Sequence, residues 1–387
     1  MSTGENEQLW LDLRTTPALL QEIATSSLDD MKLQQVLRER YPQSLVIAAL
    51  QLRDARKRAA VKFSLAERMW LERVGVEQST SEVVARHKAR RFADCQQVWD
   101  LCCGTGGDAI AIAEMGVRVT AVDCLPLATL RTAWNADVYG VGDQIETVTA
   151  DVMSLSFADG HVHLDPDRRP AARRVLRLED YVPPLDFMQE LTQAARGGAI
   201  KLSPASNFGG KFPDCEVELI SLDGECKEAT IWFGDRRTET DWRATLLPEG
   251  VSLTGDPWLA RADRRELGRY LYDPDPAVVR AGLVDVLGEQ TGLARLDEAE
   301  EYFTSEVLIE TPFARPFEVL AECANNQREL RNMLRSHAAG QLEIKCRHVP
   351  IDVNRFRKQL PLTGTEPLVL FVARLAGKTR AVLTRRP

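Results

Sequence analysis

Residues 98–123, VWDLCCGTGGDAIAIAEMGVRVTAVD, combine two apolar runs with a glycine-rich segment and an alanine-rich segment between them. A short apolar run predicts a buried strand, the glycines at 104, 106 and 107 predict a tight turn, and the alanine- and isoleucine-rich stretch predicts a helix. A second apolar run ends at Asp123. Because a glycine-rich turn between a strand and a helix lets backbone N–H groups approach a ligand closely, the stretch predicts a nucleoside-binding site in an α/β fold.

The rest of the chain extends this pattern. Its 387 residues are 44% hydrophobic and 27% charged, which suits two or three globular domains. Short apolar runs alternate with helical segments from Val98, which predicts a parallel sheet with helices on both faces. The segment EVELISLDGECKEATIWFG predicts a hairpin at its Asp-Gly pair. We expect a helical region over 1–70, the sheet domain over 71–248 and a small α/β domain over 249–387.

The composition indicates in which cellular compartment the protein is expected and what kind of partner it binds. The longest apolar runs fall short of the roughly 18 residues that a membrane span needs, and acidic residues interrupt the first segment, so we expect a cytoplasmic protein with neither membrane contact nor secretory signal. Eight cysteines without a CxxC pair predict reduced thiols and no metal. From Arg315 onward 14 Lys and Arg face 6 Asp and Glu, in a chain of net charge −8. This indicates a polyanionic partner, or simply a solvated basic surface.

Three aspartates at strand positions indicate which class of ligand fits the predicted site. Asp100 lies inside the first predicted strand, Asp123 ends the second and Asp151 ends the third. Their carboxylates suit an ammonium group, two ribose hydroxyls and the exocyclic amine of adenine, in that order, whereas Asp100 would repel a pyrophosphate. The G-T-G-G pattern also lacks the third glycine of the dinucleotide fingerprint. The set predicts S-adenosyl-L-methionine rather than NAD, although aspartates that only cap helices would explain any one of them.

These residues resemble the first motif of class I S-adenosylmethionine-dependent methyltransferases, with Cys102 where many members carry glycine. Over about 70–240 the chain looks like the trimethylguanosine synthase family of RNA cap guanine-N2 methyltransferases. The resemblance implies a Rossmann-like seven-stranded sheet with the hairpin at its edge. It also implies that the segment before the first strand helps to close the cofactor site. The cofactor-binding residues that we expect are Gln78, Thr80, Asp100, Cys102, Gly104, Gly106, Asp123, Cys124, Asp151 and Val152.

A fourth predicted strand ends in DPDRRP, at the place where amino-methyltransferases carry an acidic or amide residue followed by prolines. The resemblance implies that Asp165, Pro166 and Asp167 form the catalytic loop, with Asp165 accepting hydrogen bonds from the target amine. Cap methyltransferases have a second proline and an aromatic residue here, and this chain has Asp167, Arg168 and Arg169 instead. A stacked 7-methylguanosine cap is therefore not expected. The two arginines suit a phosphate or a base edge, or else an ion pair with Asp167 or Glu179.

The segments RYLYDPDPAVVRAGL and LEIKCRHVPIDVNRFRKQL resemble bacterial methyltransferases that carry a THUMP-like C-terminal domain. THUMP domains bind RNA in modification enzymes, so this resemblance implies an RNA partner. Lys345 and Arg347 are the residues of this domain that we expect to contact RNA, together with the basic helix that contains Arg355 and Lys358.

The sequence thus predicts a methyltransferase that uses S-adenosyl-L-methionine and acts on an exocyclic amine of a base in RNA, with guanine N2 favoured. One alternative is methylation of a small molecule or a protein. Another is a non-catalytic RNA-binding protein built on the same scaffold. The sequence predicts neither the oligomeric state nor the role of the N-terminal helices.

Overall fold

The computed structural model describes residues 3–168, 177–358, 360 and 362–387. The chain divides into two compact units. The first contains residues 1–215 and 230–237, and the second contains residues 216–229 and 238–387. Each unit is α/β, as the sequence predicts.

The first unit begins with helices, in agreement with the sequence analysis. Its helices are α1 (Thr3–Arg14), α2 (Pro17–Thr25), α3 (Asp30–Leu37), α4 (Gln43–Ala59), α5 (Arg73–Gln78), α6 (Glu82–Ala89), α7 (Gly107–Ala113), α8 (Pro126–Tyr139) and α9 (Leu185–Ala194). Apolar residues of α4 recur every three or four positions, so one face of this helix packs into a core of its own with α1, α2 and α3. Trp70 and Trp134 meet edge to face in that core, 5.0 Å apart.

A parallel sheet forms the centre of the first unit. Its strands are β1 (Gln97–Leu101), β2 (Arg118–Asp123), β3 (Ile145–Thr149), β4 (His161–Leu164) and β5 (Gly197–Leu202). They lie in the order β3-β2-β1-β4-β5, each pair parallel. Because the order reverses at β1, the carboxyl ends of β1 and β4 border the crevice in which ligands of such sheets bind.

Two further predicted strands, β6 (Glu216–Leu222) and β7 (Glu225–Gly234), form the expected hairpin. Its turn residues Asp223 and Gly224 have φ angles of 54° and 77°, the left-handed conformations that a two-residue hairpin turn requires. The hairpin turn belongs to the second unit, whereas the last part of β7 lies beside β5 in the first.

The second unit adds two strands beside β6 that the seven-strand expectation did not include. These are β8 (Trp242–Leu247), parallel to β6, and β9 (Val251–Thr254), antiparallel to β8. Neither strand belongs to the alternation of strands and helices on which the expectation depended, because β8 and β9 follow the hairpin without an intervening helix.

A separate seven-stranded sheet follows in the second unit. Its elements are β10 (Tyr270–Pro274), α10 (Pro276–Arg280), α11 (Val284–Thr291), β11 (Ala294–Arg295), β12 (Phe303–Ser305), β13 (Ala314–Ala324), α12 (Gln327–Ser336), β14 (Ala339–Cys346), α13 (Val353–Lys358), β15 (Glu366–Leu375) and β16 (Lys378–Arg385). The strand order is β11-β12-β10-β13-β16-β15-β14. Within the described residues, no helix combines the length and hydrophobicity that crossing a membrane requires.

Candidate active site

The turn between β1 and α7 has a backbone that only a few residue types tolerate. Gly104 and Gly106 have φ angles of 58° and 83°, and Cys102 has φ 60° although it carries a side chain. The left-handed region costs a non-glycine residue about 1–2 kcal/mol, which gives a physical reason for the glycine that related enzymes place at this position. A Cβ on Gly106 would lie 2.9 Å from Cγ2 of Thr132, so this position excludes a side chain on two grounds.

Asp123 at the end of β2 is tied to this turn. Its Oδ2 accepts the backbone N–H of Gly104 at 3.0 Å, and its Oδ1 accepts that of Leu125 at 2.9 Å. Burial raises the pKa of the Asp123 carboxyl above its usual value. Each carboxylate oxygen can accept a second hydrogen bond, so the contacts with the turn leave room for the ribose hydroxyls that we expect here. Cys124, the next residue, is exposed.

Asp151 follows β3 and has the role of a helix cap. Its Oδ1 accepts the backbone N–H of Met153 at 3.0 Å at the start of a short 3-10 turn, Val152–Ser154. The side chain of Asp151 is exposed and that of Val152 is buried. The capping role is thus present, and the contact with adenine stays a prediction.

Asp100 belongs to a buried chain of hydrogen bonds that the sequence did not reveal. Its Oδ1 lies 2.7 Å from Nδ1 of His163, and Nε2 of His163 lies 3.2 Å from Nζ of Lys88. Lys88 is paired with Asp108 at 2.9 Å, and Asp108 also accepts the hydroxyl of Thr80 at 2.8 Å. A neutral His163 with its proton on Nδ1 satisfies every one of these contacts, because it donates to Asp100 and accepts from the ammonium of Lys88.

This chain holds Asp100 and Thr80, two of the residues that we expect to bind the cofactor. Burial alone would raise the pKa of Asp108, but the lowering effects of the groups around it, with the charge of Lys88 the largest, together outweigh burial and hold that pKa well below its usual value. Asp100 is almost fully buried, which raises its pKa, and its Oδ2 has no hydrogen-bond partner among the described residues. A buried acceptor without a partner fits the ammonium group of an amino acid, directly or through water.

The predicted catalytic loop begins directly after β4. The backbone N–H of Asp165 donates to the carbonyl of Leu101, the last residue of β1, at 3.1 Å. Pro166 is buried and Asp167 is exposed. The backbone of Asp167 forms two hydrogen bonds with Val182, and its Oδ1 accepts from Nε2 of Gln78 at 3.0 Å. Gln78, at the end of α5, thus joins the segment before β1 to the loop.

Lys201, which the sequence analysis did not select, contacts the same loop. Its Nζ lies 2.6 Å from Oδ2 of Asp165 and 3.2 Å from the backbone carbonyl of Gln78. In the parallel register Leu164 pairs with Ile200, so Asp165 and Lys201 follow at neighbouring positions. Alignment of the ends of the two predicted strands would therefore have found this pair. Of the two arginines, Arg168 is half-buried, and Arg169 lies outside the described residues.

Comparisons with known proteins show to which family the chain belongs. Residues 95–187 match the family of RNA cap guanine-N2 methyltransferases, and residues 314–386 match a THUMP domain-like family. An uncharacterized S-adenosylmethionine-dependent methyltransferase of Mycobacterium tuberculosis, found in two strains, is 33% identical over 318 residues, which cover 80% of this chain and 86% of the relative. The chain belongs to the S-adenosylmethionine-dependent methyltransferases.

Two other comparisons concern this methyltransferase. A solved structure from Porphyromonas gingivalis W83, assigned as a methyltransferase, has the same fold over 98% of both chains, with a TM-score of 0.78 and 18% sequence identity. The release factor glutamine methyltransferase of Chlorobaculum tepidum is 37% identical over 97 residues, which cover 23% of this chain and 33% of the relative. The cofactor is S-adenosyl-L-methionine, and the unpartnered oxygen of Asp100 and the side-chain-free position at Gly106 fit it.

The second unit of the methyltransferase contains the two basic residues that we expect to contact RNA. Lys345 Nζ lies 2.9 Å from Oδ2 of Asp273, and the guanidinium of Arg347 contacts Oδ1 of Asp273 at 2.7 Å and the carbonyl of Pro274 at 2.8 Å. Both side chains line a cavity of about 440 Å³, together with Arg315. Lys345 and Arg347 are therefore brought together, but each is already paired within the protein.

One group of possible metal ligands occurs in the described part of the second unit. Glu300, Glu301 and His348 place ligand atoms within 4.8 Å of one another. The oxygens of Glu300 accept the backbone N–H groups of Glu301 and Arg374, and His348 is paired with Glu301 at 2.7 Å. Each of these side chains thus has a protein partner, and the absence of a metal stays a prediction.

Proposed function

We propose that this methyltransferase transfers a methyl group to an exocyclic amine of a base in RNA, with guanine N2 favoured. The observation that carries the proposal is the position of Asp165. Its backbone is bound to the last residue of β1, so its carboxylate lies beside the turn that we expect to hold the methyl donor. A hydrogen-bond acceptor beside the methyl donor is what an amine needs in order to be methylated.

In the proposed mechanism most of the rate acceleration comes from the positioning of the target amine. S-adenosyl-L-methionine supplies an electrophilic methyl group on a positively charged sulfur. Asp165 accepts an N–H hydrogen bond from the planar amine, which turns the nitrogen lone pair toward that methyl group and favours the positive charge that develops on nitrogen. Pro166 limits the backbone of the loop, and Gln78 holds Asp167 from the side. As the nitrogen–carbon bond forms, the bond between the methyl carbon and sulfur would break and leave a neutral thioether, and the proton that the amine loses would pass through its hydrogen bond with Asp165 to the solvent.

Support for RNA comes from two parts of the chain. The family match over residues 95–187 is to RNA cap guanine-N2 methyltransferases, and the match over 314–386 is to a THUMP domain-like family. The strongly basic composition from Arg315 onward suits a polyanion. The loop departs from the cap enzymes at Asp167, Arg168 and Arg169, so we propose a base within RNA rather than a stacked cap.

The test is to incubate the purified protein with methyl-labelled donor and total cellular RNA, then digest the RNA to nucleosides. We expect label in a methylated guanosine. Asp165→Ala should lower turnover at least about 100-fold while donor binding, measured by calorimetry, persists. Asp143→Ala, at an exposed aspartate, serves as the matched control and should leave turnover unchanged. RNA without label in the wild-type reaction would overturn the proposal.

A second candidate is methylation of a protein. The observation that favours it is the similarity to a release factor glutamine methyltransferase, because a glutamine side chain, like guanine, carries a planar NH2 group. The same loop chemistry suits both acceptors. If the label from a whole-cell extract appears in protein and not in RNA, this candidate replaces the first.

A further inference from the structure

We propose that Lys201 is a positioning residue for methyl transfer, and that its ion pair with Asp165 does the work of the neutral amide that other amino-methyltransferases place in this loop. The pair presents one carboxylate oxygen to the target amine and binds the other to an ammonium. This inference rests on the proposed role of Asp165 as the acceptor of the amine's hydrogen bond.

The contacts of Lys201 support this role. The side chain of Lys201 is 13% exposed and that of Asp165 is 30% exposed, so the pair is largely shielded from water on the lysine side. Oδ2 of Asp165 is bound to Lys201, and among the described residues Oδ1 accepts no hydrogen bond. One oxygen is therefore held while the other is available to a substrate. An asparagine oxygen would present the same single acceptor.

The surrounding charges explain why a lysine is needed. Burial raises the pKa of Asp100 and that of Asp123, and the negative charge of Asp165 adds to both shifts, so Asp165 shares its surroundings with two other carboxylates. The ammonium of Lys88 is bound to Asp108 and His163, and among the residues that the structure describes Lys201 is the cation in contact with Asp165. Without Lys201, an uncompensated carboxylate would lie in an acidic region and would turn toward water or toward another donor.

Lys201 also connects Asp165 to the segment before β1. Its contact with the Gln78 carbonyl at 3.2 Å and the contact of the Gln78 side chain with Asp167 at 3.0 Å link the lysine to both ends of the acidic loop. A shift of about 1 Å in a reacting group can cost about 100-fold in rate. Loss of Lys201 should therefore lower kcat far more than it changes the binding of the donor.

The experiment is a double-mutant cycle with Lys201→Met, Asp165→Asn and the variant that carries both. Initial rates are measured with labelled donor and the RNA fraction that the wild-type protein methylates. Lys201→Met leaves the carboxylate of Asp165 without its cation, and Asp165→Asn leaves the ammonium of Lys201 without the carboxylate that it binds, so we expect each to lower kcat about 100-fold. The double variant has a neutral amide and no unpaired cation, so we expect its kcat within about tenfold of the wild-type value. Rates in the double variant that equal the product of the two single effects would overturn the inference.

Controls separate positioning from folding. Calorimetry should give the same donor affinity for all four proteins, and urea unfolding should show that each is folded. If Lys201→Met does not fold, the cycle is run with Lys201→Gln, which keeps an N–H donor without the charge. Lys211→Met removes another partly buried lysine paired with a carboxylate, that of Glu179, and should leave kcat unchanged. Lys201→Arg should retain most of the activity.

The outcomes distinguish this inference from the proposed function. If Asp165→Ala keeps full turnover, or if the wild-type protein labels no RNA, the proposed function fails and the inference fails with it. If Asp165→Ala is inactive and Lys201→Met has a normal kcat, the proposed function stands and only the role of Lys201 is overturned.

Discussion

Two clusters pair cations with aspartate, one in each unit, and they differ in their access to water. The buried cluster in the first unit consists of Lys88, Asp100, Asp108 and His163, whose side chains are 1–9% exposed. The cavity cluster in the second unit consists of Lys345, Arg347 and Asp273, whose side chains are 13–22% exposed and line the cavity of about 440 Å³.

Access to water changes what an ion pair contributes: a buried pair stabilises the fold, whereas an accessible pair can exchange its partner for a ligand. In the buried cluster Lys88 lies against Asp108 where water has little access, so the pairing supports the fold around the glycine turn. In the cavity cluster water and mobile anions compete with Asp273 for the cations. We therefore expect a phosphate to compete with the internal carboxylate more readily in the second unit than in the first.

The largest effect should follow from removal of the charge of Lys88. Lys88→Met leaves Asp108 buried without its cation, and we expect a loss of about 3–5 kcal/mol in the free energy of unfolding, measured with urea. Lys227→Met breaks a surface pair with Glu225 and should cost at most about 1 kcal/mol. Equal losses in the two variants would contradict the distinction between buried and accessible pairs.

A backbone comparison between the units should give the next largest effect. Gly106 and Gly377 have similar φ angles, 83° and 76°, but a Cβ at Gly106 meets Thr132 whereas nothing lies within 4 Å at Gly377. Alanine should cost about 1 kcal/mol at Gly377 through its backbone alone, and about 2–4 kcal/mol at Gly106, where steric overlap is added. The measured free energies of unfolding should show the larger loss for Gly106→Ala than for Gly377→Ala. Calorimetry should show weaker donor binding only for Gly106→Ala.

A smaller effect should appear in acid. The pKa of Asp108 is lowered in the folded protein, so its contribution to stability is complete above the unfolded pKa near 3.8 and is lost as the pH falls toward the lower folded value. This carboxyl should account for a loss of about 1 kcal/mol between pH 7 and pH 3. Asp108→Asn should remove that part of the pH dependence. An unchanged slope of stability against pH would show that the pairing is not what stabilises the buried carboxylate.

The smallest change in stability should come from the cavity cluster, where the effect on RNA binding is larger. Replacement of Lys345 and Arg347 by glutamine should change the free energy of unfolding by about 1 kcal/mol or less. It should also reduce the slope of log affinity for RNA against log salt by about 1–2. Lys378→Gln changes an exposed lysine at the start of β16 and is the control. An unaltered salt slope would exclude these two residues as phosphate contacts.

The features that the sequence predicted correctly are those that neighbouring residues determine. The glycine turn, the Asp-Gly hairpin and the alternation of strands and helices each require particular residue types at short spacing, so residues 98–123 and the Asp223–Gly224 turn have the predicted local structure. The strands β8 and β9 were missed because they follow the hairpin directly, outside the strand–helix rhythm from which the number of strands was inferred.

The site was predictable only in part, since its partners are distant in the sequence. Asp100 could be selected because it lies four residues before the first glycine of the turn, and Asp165 because it begins the motif that follows the fourth predicted strand. His163 and Lys88, which are 75 residues apart, meet only after the sheet has formed. Lys345 and Arg347 were selected as basic residues of the THUMP-like segment, and no local pattern indicated that Asp273, more than 70 residues away, pairs with both.

The left-handed position of Cys102 has a chemical consequence. It places a sulfhydryl group, followed directly by a second one at Cys103, in the turn that we expect to hold an alkylating agent. Burial raises the pKa of both sulfhydryl groups well above the usual value, and the negative charge of Asp123 raises them further. Because their pKa values are raised, both groups stay protonated at neutral pH. Only the anionic form of sulfur attacks carbon readily, so the protonated groups are inert. The enzyme can thus keep a reactive methyl carrier next to two sulfur atoms without modifying itself.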